Sequence, residues 1–375
     1  MKIDHINSYA LEIPVSLDIT REPVNTSHSV CIVEVETDNG LRGHGISSIG
    51  PVGSIAHMVD TLAAPAIIGM NPLDHEAVWD KLYWQLAPRG QTGVALHAIA
   101  AIDIALWDIK GHAFGQPVWR LLGGARGTVP TYTTFGFGFY DLDTLVEAAS
   151  AWVARGVRRL KMTVGNSALQ RRDEPRPLGE VVREDIVRVR AVREAVGDAV
   201  EIYLDANCSL DFYHADQLCR ALQPLDITFF EEPVTQNDVR QMADLRSRHG
   251  IALACGQNEG LAFRFRDLLC AQAADVIQPN VAISGGFTQC AKIAGMAAAF
   301  NVPIANGGAW PFVNQHLQAG LANGSLVEYH YPSVTCSEKI YDGLARPHDG
   351  WLAMPDTPGL GFALKRDALN EFAIR

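Results

Sequence analysis

Three short apolar runs in the middle of the chain, EIYLDAN, ITFFEEP and IALACGQ, each close on a side chain that carries oxygen. The interval is constant: 26 residues separate Asp205 from Glu231, and 26 separate Glu231 from Gln257. A strand, a helix and two short loops fill such an interval, so the repeat reads as a strand-helix unit. The same rhythm runs through TYTTF, RRLKMTV, ADVIQPN, VPIAN and SLVEYH. Eight strands alternating with helices indicate an α/β chain closed into a parallel barrel. In such a barrel the chemistry sits at the C-terminal ends of the strands. The polar segment NSALQRRDEPRPLGEVV, after the second strand, is expected to form a loop over that mouth.

The residues before the barrel follow another pattern. HSVCIVEVET alternates apolar and polar side chains, Asp38-Asn39-Gly40 is a turn signal, and LRGHGISS supplies a partner strand. From Ser54 to about Gly115 the spacing turns helical, which predicts helices covering a small antiparallel sheet.

Composition narrows the function classes. A chain of 375 residues with 48% hydrophobic and 19% charged residues can bury a large core, and its length calls for one large barrel with additions or for two domains. The net charge of −11 is spread along the chain without a basic stripe, which argues against nucleic acid as a partner. Seven scattered cysteines, never in CxxC spacing, disfavour a disulfide framework and a structural zinc site and fit a reducing cytoplasm. Asp4 and His5 fall where a signal peptide would be apolar, and no later run reaches membrane-spanning length, so a soluble cytosolic protein without a membrane partner is expected.

Oxygen ligands at rigid strand ends suit a hard cation such as magnesium. A single strand-end carboxylate is more often a helix cap or salt bridge, but Asp205, Glu231 and Gln257 stand in equal register. Here an ordered set of motifs bears on the question: Asp-Ala-Asn at 205–207, Glu-Glu-Pro at 231–233, Gly-x-Asn-Glu at 256–259, Gln-Pro-x-Val at 278–281 with Gly285-Gly286, IDIALWDIKG at 102–111, and PDTPGLG at 355–361. Together they resemble the mandelate racemase and muconate lactonizing group of the enolase superfamily, over essentially the whole chain. The resemblance implies a modified (β/α)7β barrel of the TIM type with an α+β capping domain. The expected boundaries are 1–126 for the cap, 127–345 for the barrel and 346–375 for a segment returning to the cap. It also implies magnesium at Asp205, Glu231 and Gln257, a small carboxylate substrate, and removal of the proton alpha to that carboxylate. A homo-oligomer is expected.

The departures from the pattern matter as much. The third ligand is usually a carboxylate and here is Gln257, with Glu259 two residues on as a substitute. The family's Lys-x-Lys is Lys161-Met162-Thr163, and strand alternation sets Lys161 and Thr163 on one face. Lys161 is expected to hold or deprotonate the substrate, and its removal to abolish binding or turnover with little loss of stability. Thr163 fills the place of the base as a hydroxyl. Asn280, and Asn306 or Gly307, stand where the family carries a lysine or an aspartate–histidine pair, and an amide does not titrate near neutral pH. Glu328 is the expected proton donor. Asn207, Asn280, Asn306, His28 and Arg89 are expected substrate contacts, as are His44 and His330. The leading reading is dehydration or cycloisomerisation of a hydroxy-acid, sugar-acid or lactone, without racemisation, because at most one face of the substrate meets a proton-transfer group. The rival reading is a metal-free barrel that binds a carboxylate without chemistry.

Overall fold

The computed structural model of the protein describes residues 1–48, 50–86, 91–165 and 176–374. Arg89, and residues 166–175 of the segment expected to cover the mouth, lie outside the described residues. The chain opens with an antiparallel meander, β1 (Ile3–Leu17), β2 (Val24–Thr37) and β3 (Arg42–Ser48). The helix Val94–Phe114 lies directly on β3. A Cβ at Gly45 would fall 1.9 Å from the carbonyl oxygen of Ala101, so only glycine admits this approach.

Seven strands then run parallel in the order β10-β4-β5-β6-β7-β8-β9: β4 (Thr128–Gly136), β5 (Arg159–Thr163), β6 (Glu201–Asp205), β7 (Ile227–Glu231), β8 (Leu253–Cys255), β9 (Val276–Ile277) and β10 (Val327–His330). The expected strand VPIAN is reduced to a single residue, Ile304, which bridges Ile277 on one side and Gly324 on the other. Pro303 lacks an N–H for the ladder, and Gly307-Gly308 follow at once, so pairing stops after one residue. The ring still closes, because Ala305 N–H donates to Ile277 O at 3.0 Å and Asn306 N–H to Leu326 O at 2.8 Å.

Alternation along the barrel strands sorts two layers. Leu160, Met162, Ile202, Leu204 and Phe230 point outward into the main core under the helices. Tyr132, Tyr203, Phe229 and Ala254 point inward and fill the lower barrel. Lys161 belongs to that inward set, 5.3 Å from the Tyr132 ring.

Two aspartates of IDIALWDIKG tie the cap to the rest. Asp103, whose carboxyl burial pushes up to about 7, accepts from Thr288 N–H at 3.0 Å and Thr288 Oγ1 at 2.5 Å, in the first turn of the helix Gly286–Ala299. Asp108 accepts from Leu360 N–H at 2.8 Å and His44 N–H at 3.1 Å, so PDTPGLG is held against the cap helix. The chain end continues the strap, with Glu12 N–H donating to Phe372 O and Ile374 N–H to Ala10 O, each at 2.9 Å.

Gly286 sits at φ +83°, and a Cβ there would meet Asp103 Oδ2 at 2.2 Å. Gly286→Ala is therefore expected to cost about 3 kcal/mol in urea denaturation, combining the left-handed penalty with overpacking. A loss under about 1 kcal/mol would show that the cap shifts freely on the barrel.

Candidate active site

The ends of β5, β6, β7 and β10 bring four charged side chains together. Lys161 is fully enclosed, with its Nζ 2.8 Å from Glu231 Oε2, 2.9 Å from Glu328 Oε1 and 3.1 Å from Asp205 Oδ2. Burial works against the ammonium, but Glu231, Glu328 and Asp205 outweigh it and hold the lysine well above its usual range. Lys161 is thus a buried counter-ion. It is enclosed among three carboxylates and is not part of the cavity lining, which differs from the substrate-facing amine expected from the sequence.

Glu328 is corrected for a related reason. Its Oε2 accepts from Ala309 N–H at 2.7 Å and its Oε1 from Thr134 Oγ1 at 2.5 Å, in addition to Lys161. Burial opposes ionisation, but Lys161, His330 and the Ala309 N–H prevail and keep the carboxyl below its ordinary range. With both oxygens engaged as acceptors, the arrangement favours the carboxylate over the proton donor expected from the sequence. Thr163 donates to Gly136 O at 3.1 Å and offers the cavity a hydroxyl acceptor, which as a neutral alcohol is too weakly basic to take the proton.

Asn280 and Asn306 are fully buried braces, not substrate contacts. Asn280 Nδ2 donates to the carbonyls of Gly307 and Gly308 at 2.7 and 2.8 Å, while its Oδ1 accepts from Ala282 N–H and Asn314 Nδ2. Asn306 donates to Gly307 O and accepts from Glu328 N–H at 3.1 Å. The loop after Ile304 has few internal backbone bonds, and these amides satisfy its carbonyls. His44 stacks on Tyr341 with ring centroids 5.3 Å apart, away from the mouth. Glu259 pairs with Arg264 at 3.0 Å and with Asn237 at 3.1 Å, so it does not stand in for Gln257.

Above the cluster lies a cavity of about 670 Å³ between cap and barrel. Asp205, Asn207, Gln257, Thr163 and Glu328 reach it from the barrel, and Thr26, Ser27, His28, Ser29 and Ser48 reach it from the cap. Asn207 holds its φ of +46° because its N–H donates to Asp205 Oδ1 at 2.8 Å, and its Oδ1 accepts from Gln257 Nε2 at 3.3 Å. Asp205, Asn207 and Gln257 are therefore joined by hydrogen bonds.

Residues 7–123 match the N-terminal domain of the mandelate racemase / muconate lactonizing enzyme family, and residues 144–368 match the enolase C-terminal domain-like family. The chain belongs to the mandelate racemase and muconate lactonizing group of the enolase superfamily. Arabinonate dehydratase of Saccharolobus solfataricus is 29% identical over 92% of this chain and 91% of its own length. Among solved structures, the 3,6-anhydro-D-galactonate cycloisomerase from Zobellia galactanivorans superposes with a TM-score of 0.88 at 29% identity, covering 100% of both chains. L-talarate dehydratase from Polaromonas sp. JS666, complexed with magnesium and L-glucarate, gives 0.82 at 31% identity, covering 99% of this chain and 98% of that one.

The residues of this group member fit a divalent cation. Asp205, Glu231, Glu232 and Glu328 are buried against the single ammonium of Lys161, so the cluster is short of positive charge. Burial and the neighbouring Asp205 push Glu231 and Glu232 upward. Glu231 Oε1 is enclosed without a hydrogen-bond partner, and a Cβ at Gly307 would lie 2.7 Å from it. Gln257 Nε2 is 3.3 Å from Asp205 Oδ2 and 3.1 Å from Glu232 Oε2, so the carboxamide borders the same space. Among the described residues no three His, Cys, Asp or Glu side chains are grouped as a metal site, as befits a set whose third member is an amide.

Glu232 is the organiser that the sequence reading passed over. At φ +43° and fully buried, it accepts from Asn237 at 2.9 Å, Gln257 at 3.1 Å and Asn258 at 2.6 Å. The signal was present as the second glutamate of Glu-Glu-Pro, whose position next to a strand end turns it sideways under the following loop.

Proposed function

We propose that the protein removes the proton alpha to the carboxylate of a polyhydroxylated acid or its lactone and expels a beta oxygen, acting as a dehydratase or cycloisomerase. The observation that carries this is the meeting of Asp205 and Gln257 on the wall of a cavity lined by hydroxyl side chains, with Glu231 enclosed beside them and linked to Asp205 through Lys161. A magnesium ion held by Asp205, Glu231 and the Gln257 amide would act as a Lewis acid on the substrate carboxylate. Thr26, Ser29 and Ser48 line the cavity with hydroxyl groups, and Thr163 and Ser27, whose protons are donated to Gly136 and Glu12, add acceptors for a sugar-acid polyol. Asn207 presents its amide at the floor, and Lys161 with Glu328 supports the floor from below.

The metal-free binding reading loses ground on charge. With Lys161 enclosed, the floor presents carboxylates, and Arg188 on the wall is tied to Asp185 at 3.0 Å. An anionic ligand therefore needs a bound cation to approach Asp205. The seven cysteines are all free, which supports placing the protein in a reducing cytoplasm. Among the described residues no helix is long and apolar enough to cross a membrane.

The test is to incubate the protein with magnesium and a panel of aldonic acids, aldaric acids and their lactones in deuterium oxide, following the alpha position by NMR. Loss of the alpha signal with a dehydrated or cyclised product is expected, without the opposite stereoisomer. No exchange and no product across the panel would remove the proposal.

A further inference from the structure

Removing an alpha proton needs a group that is unprotonated near pH 7, has a free lone pair and reaches the substrate. The described cavity wall has few. Asp205 Oδ1 accepts from Asn207 N–H while Oδ2 faces Lys161, and Glu328 is saturated on both oxygens. Asp185 accepts from Gly165 N–H at 2.6 Å and pairs with Arg188. Glu184 pairs with Arg176 at the rim. Arginines do not take protons, and burial pushes the Tyr140 phenol upward. His330, half-buried on the same wall, caps the following helix, with Nδ1 accepting from Ser333 N–H at 3.3 Å.

One group remains. His28, on β2 of the cap, lies against Trp310 and His330 with ring centroids 6.3 and 5.8 Å away, and neither ring nitrogen has a hydrogen-bond partner among the described residues. Resting on Trp310 and the end of β10, the ring stands over the side of the barrel where Asn280 and Asn306 offer only amides already bonded to backbone.

We propose that His28, contributed by the capping domain, is the catalytic base that takes the substrate's alpha proton. This rests on the dehydratase reading above. The alpha C–H bond breaks, its electron pair passes into the carboxylate as an enolate, and the proton goes to the free ring nitrogen. When the beta C–O bond breaks, the hydroxyl leaves with that proton as water, and His28 is again neutral. Nothing is oxidised or reduced. Burial lowers the imidazole below its ordinary range, which keeps it unprotonated at neutral pH. The groups in contact with its ring are His330 from β10 and Trp310 from the loop after Ile304, while the charged side chains of the wall are all paired as described.

The experiment uses magnesium-loaded protein, the substrate panel above, and the variants His28→Gln and His28→Ala. Wild type is expected to show an acid limb in kcat with an apparent pKa below the ordinary histidine value. His28→Gln should lose that limb and 10²- to 10⁴-fold in kcat and alpha-exchange, with KM and magnesium affinity within about threefold. Imidazole in the medium should restore exchange to His28→Ala, which a merely structural role would not permit. Exchange in His28→Gln within twofold of wild type would overturn the role of His28 and leave the dehydratase reading standing. No exchange by wild type on any acid would overturn both.

Discussion

Lys161→Met is expected to destabilise the metal-free protein by about 3–5 kcal/mol, the cost of leaving buried charges without their partner. The ammonium stands within 3.1 Å of three carboxylates that are almost wholly enclosed, and no other cation touches them among the described residues. The sequence alone suggested the opposite, that an inward lysine could be lost with little effect on folding. Magnesium should rescue the variant. At a hundred times its dissociation constant a ligand adds about 2.7 kcal/mol to the folded state, and removing the competing ammonium from Asp205 and Glu231 should also tighten metal binding. Urea denaturation with chelator and with magnesium reads both effects. A chelated variant as stable as wild type would show that Lys161 is not the counter-ion of this cluster.

Gln257→Glu should raise magnesium affinity tenfold or more, about 1.4 kcal/mol, because a charged oxygen replaces a neutral one at the third position. The same change should weaken the metal-free protein by about 2 kcal/mol. The amide now donates to Asp205 and Glu232, and a glutamate would meet both as a like charge in place of a hydrogen bond to a charged acceptor. The two effects have opposite signs, so calorimetric titration and chelated denaturation together separate a ligand from a spacer. Unchanged affinity would remove Gln257 from the metal site.

The barrel was legible because its code is local. Strand-helix periodicity, strand-end oxygens and turn glycines all act over a few residues, and Asp205, Glu231 and Gln257 meet because equal spacing along the chain becomes adjacent strands around a ring. One strand was overcounted: VPIAN has the apolar content of a strand, but Pro303 and the glycines after it leave one residue to pair. Glu232 was hidden in plain view, because alternation hides where a left-handed residue after a strand end will aim its carboxylate.

What a side chain does chemically was a matter for the tertiary structure. The sequence by itself determined the fold, the cap, the mouth of the barrel and the two strand-end carboxylates, since each follows from short-range pattern. Tertiary structure alone decided that Lys161 stands among three carboxylates, that both Glu328 oxygens are engaged, and that Asn280 and Asn306 brace a loop, whereas His28 lines the cavity as its expected role as a substrate contact required. The physical reason is that protonation and hydrogen-bond capacity depend on the dielectric and on partners supplied by other strands, and those partners are set by folding, not by spacing.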